Sequence, residues 1–484
     1  MLFNSIGFAI FFPVVTAVFF FLPQRWRVHW LLAASCFFYM AFIPAYILIL
    51  VVTILIDYLA GIYLERVEDP KKRKVLLWVS IVSTCTVLFI FKYFDFFTGS
   101  FVGVAGLLGW QLPRSVVSII LPIGLSFHTF QSLSYVVEVY WRKQKAERNF
   151  VVYATYVMFF PQLVAGPIER PQNLLHQFRE WHAFHYLDVT SGLKRMAWGF
   201  FKKLVVADRL ALYVNDVYSA PRSHNGVQLT LATFFFAYQI YCDFSGYSDI
   251  AIGAAQVLGF RLMENFKTPY YSLSVSEFWR RWHISLSTWF KDYLYIPLGG
   301  NRVSKRRHVV NLLITFGLSG LWHGANWTYV LWGLLNGMYL VVGWLTKDWR
   351  DRLFGVIGLH EHTFARRTIM LLTTFLLTCV AWIVFRARNM GDAAYVFTHL
   401  ASGWDFHWDF HKIATEQFLL RQLPVAIAAI LVLEIGQLWN GVVSVPSFVG
   451  KLPMAGRWAL YAGFVITVLM FGVYKQMQFI YFQF

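Results

Sequence analysis

Apolar residues run along this chain with little interruption: 58% of its 484 residues are hydrophobic and only 14% are charged. Soluble domains carry about 25% charged residues. A water-soluble core cannot absorb apolar stretches that recur from Ile6 to Phe484. The hydrocarbon of a bilayer can, provided every backbone N–H and C=O finds a partner within the protein. Helices meet that condition inside one segment, and no strand-period alternation is apparent. The predicted fold class is therefore all-α and polytopic, not a transmembrane β-barrel.

Crossing the hydrocarbon takes about 20 apolar residues. Candidate spans fall near 6–22, 28–42, 44–63, 75–94, 116–140, 151–166, 196–215, 229–259, 309–322, 327–346, 368–385, 424–440 and 456–474. Pro161, Pro167 and Gly246 interrupt some of them, which predicts ten to twelve full crossings plus re-entrant or broken helices. The whole chain, 1–484, reads as a single integral-membrane domain with no soluble module. Aromatic residues reach 19%, and many Trp and Tyr lie near the ends of apolar runs, as interfacial belts require.

The net charge of +17 raises the question of nucleic acid. However, the basic residues sit in short separate loops: Arg25 and Arg27, Lys71 to Lys74, Arg142 to Lys145, Lys202 and Lys203, Arg302 to Arg307, Arg366 and Arg367. A nucleic-acid reader gathers its charge on one folded face, whereas short basic loops between spans follow the positive-inside rule. Nucleic acid is thus not an expected partner; the bilayer is. The apolar run from Ile6 to Leu22 precedes the first basic residue, the reverse of a cleavable signal. The first span is expected to be retained, with the N-terminus outside. Cys36, Cys85, Cys242 and Cys379 are far apart within apolar segments and read as small buried hydrophobes.

Two histidines carry the chemistry. His323 lies in Gly320-Leu321-Trp322-His323-Gly324-Ala325-Asn326, and His283 in Phe278-Trp279-Arg280-Arg281-Trp282-His283-Ile284-Ser285. Imidazole exchanges a proton near neutrality, and an ionisable group at membrane depth is costly unless it acts there. A lone histidine on an apolar helix is more often a hydrogen-bonded structural residue. A pair with Trp, Arg, Asn and hydroxyl neighbours leaves both readings open. Ser274 and Glu277 have capping-box spacing, and a helix starting there would set Trp279, His283 and Ser287 on one face, with Glu277 and Arg281 pairing at i, i+4. Gly320 and Gly324 allow a bend or a close approach beside His323. Asp243 and Asp249, among Tyr241, Ser245, Tyr247 and Ser248, either line a polar channel or cap broken helices. Asp57 and Glu138 read as structural. His176, His182 and His185 read as surface residues, and His360-Glu361-His362 lacks the i, i+4 spacing of a zinc protease helix, so no metal site is expected.

The run Glu264-Asn265-Phe266-Lys267-Thr268-Pro269-Tyr270, followed by Glu277 to Trp289, resembles the signature of the membrane-bound O-acyltransferases, and most closely the bacterial branch that serves alginate O-acetylation. Tyr293 to Arg302, Gly320 to Asn326, Asp243 to Asp249, Ala165-Gly166-Pro167-Ile168 and the opening Met1 to Ser5 continue the likeness. It is strongest over 1–345 and weaker over 346–484. The resemblance implies a helical body around a central channel or funnel, with His323 as the catalytic histidine and His283 as a second polar position. A positioned imidazole acting as general base supplies about 10²–10⁴-fold. His323 is expected in that role and His283 as a polarising or orienting partner. Asn326 or Arg281 is expected near the oxyanion, and Trp279, Trp322, Asp243 and Asp249 along the channel.

The activity so implied is transfer of an acetyl group from a cytoplasmic thioester, acetyl-CoA, with no bound cofactor. Its destination is an exported polysaccharide such as alginate, reached through a periplasmic acetyltransferase at the bacterial inner membrane. D-alanyl transfer to teichoic acid from a carrier-protein thioester is the alternative within the family. A proton-coupled transporter or export channel is the alternative outside it.

Overall fold

The computed structural model describes residues 1–110, 122–360, 363–404, 421–442, 449, 452–474 and 479–480. Among these, every regular element is a helix: α1 (Ile6–Phe21), α2 (Gln24–Met40), α3 (Ile47–Arg66), α4 (Pro70–Leu88), α5 (Phe94–Leu107), α6 (Leu125–Tyr140), α7 (Phe150–Met158), the single turn α8 (Pro171–Leu174), α9 (Tyr186–Phe200), α10 (Asp208–Ser219), α11 (Gly226–Val257), α12 (Val275–Arg281), α13 (Ile284–Phe290), α14 (Lys305–His323), α15 (Trp327–Leu345), α16 (Lys347–Val356), α17 (Phe364–Arg386), α18 (Met390–His399), α19 (Leu423–Val442) and α20 (Met454–Phe471). The start of the expected span 116–140 and the pair Glu361-His362 lie outside the described residues.

Short polar side chains fix where many helices begin. Ser5, Asp69, Asn149, Ser274, Ser304, Asn326 and Asn389 each accept a backbone N–H in the first turn of the helix that follows. Asn225 and Gln228 form a reciprocal capping box on α11. Each cap satisfies a donor that the helix geometry leaves open, which matters most where no water can do so.

Among the described residues, five helical segments are long and apolar enough to cross a membrane: Pro44–Arg66, Pro70–Leu107, Trp327–Leu345, Phe364–Arg386 and Met454–Phe471. Ile6–Phe21 and Leu423–Leu438 are shorter apolar helices. Other expected spans fall on helices whose residues are buried in protein, and the reason they lack this apolar signature is packing. Helices facing lipid must be apolar all round, and they expose large side chains such as Ile6, Phe21, Val79 and Leu107. By contrast, all but two of the sixteen residues of α6 are buried in protein, so Ser, Thr, His, Gln and Glu are tolerated on it. Helices that expose apolar side chains thus stand beside polar ones buried in protein.

The basic connections meet at one end of the bundle. Arg27 donates to the His182 carbonyl, and Arg73 to that of Tyr140 at 2.7 Å. The Tyr58 hydroxyl donates to the Arg148 carbonyl at 2.6 Å, and Arg179 pairs with Glu147. Residues 22–27, 64–74, 140–149 and 179–182 therefore share a face, as the positive-inside rule predicts.

Pro161 and Pro167 lie where the chain leaves α7 and turns, as expected. Gly246, however, interrupts nothing: α11 runs unbroken for 32 residues. Its role is contact. A Cβ on Gly199 would stand 2.6 Å from the Gly246 carbonyl oxygen, and one on Gly192 2.6 Å from that of Gly253. Two glycines seven residues apart on each helix let α9 and α11 run antiparallel backbone to backbone, the close approach that membrane helices favour where burial supplies little drive. Two further expectations are corrected. Cys85 is exposed on its helix rather than buried. His182 is buried rather than on the surface, with Nε2 2.7 Å from the Gln177 carbonyl and its ring 4.2 Å from Phe260.

Overpacking of a tight interface costs about 1–3 kcal/mol. Gly199→Val is therefore expected to lower the thermal midpoint of the detergent-solubilised protein. Gly103→Val, where an added Cβ meets nothing within 4 Å, should leave that midpoint nearly unchanged. A thermal-shift series on the two variants checks this, and equal melting of both would refute the contact's role.

Candidate active site

α14 and α15 cross with their backbones in contact. A Cβ on Gly320 would lie 2.2 Å from the Tyr329 carbonyl oxygen, and one on Gly333 2.1 Å from that of Phe316. A Cβ on Gly324 would strike the Tyr329 ring at 2.2 Å. The glycines beside His323 thus serve close approach, and the helix continues through Gly320 to His323 without a break. The crossing sets the His323 ring 5.0 Å from Trp332 and 5.6 Å from Phe385, both edge to face. His323 is 3% exposed.

His283 reaches the same place by a different device. Trp279, His283 and Ser287 do not share a helical face: α12 stops at Arg281, His283 takes φ +44° and ψ +53°, and α13 starts at Ile284. A left-handed backbone is uncommon outside glycine, and surrounding structure must over-determine it. Asn265 supplies that. Its carbonyl oxygen accepts from Ile284 N at 2.9 Å. Its side-chain oxygen receives Ser285 N at 3.3 Å and Ser285 Oγ at 3.0 Å, and lies 3.1 Å from His283 Nδ1. Its Nδ2 donates to Ser248 Oγ at 3.2 Å. An amide oxygen facing Nδ1 assigns the ring proton to that nitrogen, so Nε2 is the basic one. The two imidazoles stand 6.5 Å apart between centroids, and His283 is fully buried. Phe244 stands edge-on to His283 at 4.6 Å, and Trp322 contacts both histidine rings.

A cavity of about 370 Å³ is lined in part by Trp279, Arg280, Ile284, Ser287, Lys291 and Ser319, with neither histidine in its wall. Ile284 directly follows His283, and Ser319 precedes His323 by one helical turn. The cavity wall thus shares its segments with both histidines, and Arg280 and Lys291 add two basic side chains to it.

The structure brings His283, His323 and Trp322 together and sets Trp279 on the cavity wall, where its Nε1 donates to Asn336 at 3.3 Å. The other predicted site residues are engaged elsewhere. Asn326 caps α15 and donates to the Arg388 carbonyl at 3.1 Å. Arg281 pairs with Glu277 at 2.6 Å, the expected i, i+4 contact. Glu277 accepts from Leu273 N at 2.9 Å rather than from Ser274 N, so the expected box is only half reciprocal. Asp243 meets Lys203 at 2.6 Å and accepts from Ile480 N at 2.8 Å. Asp249 meets Arg195 at 3.0 Å and Lys202 at 2.6 Å. Both aspartates thus lie in ion pairs between α11 and the segment 195–208. Asp57 accepts from Ser80 at 2.8 Å and Thr84 at 3.1 Å, and Glu138 from Gln172 and Tyr293. Sequence reasoning missed Asn265 as the group that orients His283. A signal existed: it is an amide within the long motif, yet its partner is 18 residues away and only the fold joins them.

The membrane-bound O-acyltransferase family model matches residues 142–385. A probable alginate O-acetylase AlgI of Pseudomonas putida is 37% identical over 438 residues, covering 90% of this chain and 86% of that protein. A peptidoglycan O-acetyltransferase of Helicobacter pylori is 32% identical over 425 residues, 81% of this chain and 78% of its own. A teichoic acid D-alanyltransferase of Bacillus subtilis is 25% identical over 288 residues, 57% of this chain and 70% of its own.

Misplacing a reacting group by an ångström costs on the order of 10²-fold. Asn265→Ala, which releases the His283 ring and its backbone together, is expected to lower acyl-transfer turnover by about 10- to 100-fold. Ser285→Ala removes a single donor and should cost much less. Initial rates in membranes holding equal amounts of each variant decide it: equal losses would deny Asn265 its orienting role.

Proposed function

We infer the function from one premise: the chain belongs to the membrane-bound O-acyltransferase family, whose named relatives are acyltransferases, and it acts as one within a membrane. We propose that it transfers acetyl from cytoplasmic acetyl-CoA toward an exported polysaccharide, with alginate as the polymer best supported. The observation that carries this is the enclosed pair of imidazoles, 6.5 Å apart between centroids. The cavity beside their segments, with Arg280 and Lys291 in its wall, offers basic groups that suit an anionic donor.

In the proposed step His323 takes the proton of the acceptor hydroxyl as its oxygen attacks the thioester carbonyl. The C–O bond forms, the C–S bond breaks, and the proton passes to the departing thiolate. His283, with Nδ1 facing Asn265, is the orienting partner across from His323. The aromatic shell of Phe127, Phe244, Trp322, Trp332 and Phe385 excludes water that would hydrolyse the thioester. No bound cofactor is needed for this chemistry. A periplasmic acetyltransferase then passes the acetyl group on: a polymer hydroxyl attacks the ester, its C–O bond breaks and the first hydroxyl is released with the proton, a sequence that fits a bacterial inner membrane. Acetyl is favoured over D-alanyl because the O-acetylating relatives match over more of the chain and at higher identity.

His323→Gln should reduce O-acetyl content of the secreted polysaccharide to the level of a strain lacking the protein, read by mass spectrometry of the purified polymer. Immunoblotting of membranes confirms that the variant is inserted. Acetylation that persists in that variant would falsify the assignment of His323.

A further inference from the structure

Lys92 is a cation inside the apolar segment Pro70–Leu107, and among the described residues no carboxylate stands within ion-pair distance of it. An ionisable group at that depth marks a functional position by default, and its contacts say which. The ammonium donates to the carbonyl of Trp322 at 2.6 Å and to that of His323 at 3.3 Å, and lies 3.5 Å from Ser126 Oγ. The neighbouring Tyr93 hydroxyl donates to the Leu321 carbonyl at 3.1 Å. The Lys92-Tyr93 pair thus meets three successive carbonyls at the C-terminal end of α14, the last of them on His323 itself.

Two local features make this contact possible. The segment Phe89–Tyr93 is a π-helical stretch between α4 and α5; such bulges are frequent at functional sites. The end of α14, meanwhile, has no C-terminal glycine in the left-handed region: Gly324 is extended, at φ −163°. The last-turn carbonyls that a helix leaves open instead take their donors from a helix 230 residues away in sequence. They also carry the negative end of the helix dipole, which a cation there stabilises.

We propose that Lys92 is a positioning residue for the transfer reaction: its ammonium clamps the end of α14 and holds the His323 imidazole at its working distance from His283. The inference rests on the proposed role of His323. Lys92 is not placed on the substrate or the reacting atoms. Its loss therefore misaligns the base without touching donor binding.

The test uses membrane vesicles from producing cells, with acetyl-CoA as the donor probe and free thiol release as the readout over a range of donor concentrations. Lys92→Met should lower kcat by about 10- to 100-fold with KM changed less than about threefold, and Lys92→Arg should recover most of the loss. If Lys92→Met does not accumulate in the membrane, Lys92→Gln, which keeps a donor and most of the side-chain length, should show the same split. The inference is overturned by wild-type kcat in an inserted Met or Gln variant, by a loss confined to KM, or by an Arg variant no better than Met. His323→Gln in the same vesicles separates the two claims. Turnover there removes the base assignment and this inference with it, while a dead His323→Gln beside a fully active Lys92→Met removes this inference alone.

Discussion

The crossing of α14 over α15 at Gly320 and Gly333 is the contact on which the site depends. Any side chain at either glycine would meet a backbone carbonyl near 2 Å, so the two helices approach as closely as peptide units allow. This closeness brings Trp332 against one face of His323, and Phe385 from α17 against another. A Leu–Leu interface would hold the helices 8–10 Å apart and leave the imidazole loosely held. The same device recurs where Gly192 and Gly199 meet Gly253 and Gly246. There it fixes α11, which carries Phe244 and Ser248 toward His283 and Asn265.

Charges between α11 and the segment 195–208 are met by opposite charges. Lys203 sits between Asp208 and Asp243, at 2.7 and 2.6 Å, and Lys202 and Arg195 share Asp249. Removing one partner from such a buried pair costs several kcal/mol because the other stays charged and unpaired. The pairs therefore tie α11 to the segment 195–208 more by the penalty of separation than by net attraction. Lys92 is the case in which a helix terminus replaces the carboxylate.

The class of fold was legible because it follows from bulk hydrophobicity, and the two candidate histidines because their motifs are long. What the sequence could not convey was the inside of the bundle. An 18- to 20-residue apolar window detects helices bathed in lipid, so α4 and α17 were placed well. α6 and α11 are surrounded by protein, lose that signature, and made the count of crossings uncertain. Gly246 looked like an interruption because glycine is both a helix breaker and a contact residue; which one it is depends on the helix opposite. Asn265, Asn326 and Arg281 stand in one motif and look equally suited to catalysis. Only their partners separate an orienting amide from a helix cap and an intrahelical ion pair.

The left-handed backbone at His283 shows why the motif cannot be read as one amphipathic helix. Had α12 run on through His283, the ring would have been one turn above Trp279 on the face toward Asn336 and Phe316. The reversal at a single residue instead directs it toward Phe244 and Phe127, across from His323. Strain of this kind costs about 1–3 kcal/mol, and the hydrogen bonds that Asn265 makes to Ile284, Ser285 and His283 are sufficient to offset it. A histidine whose backbone is strained and whose proton is assigned by a buried amide has little freedom to rearrange. Its orientation is therefore set before any substrate arrives, and the position of its ring relative to His323 with it.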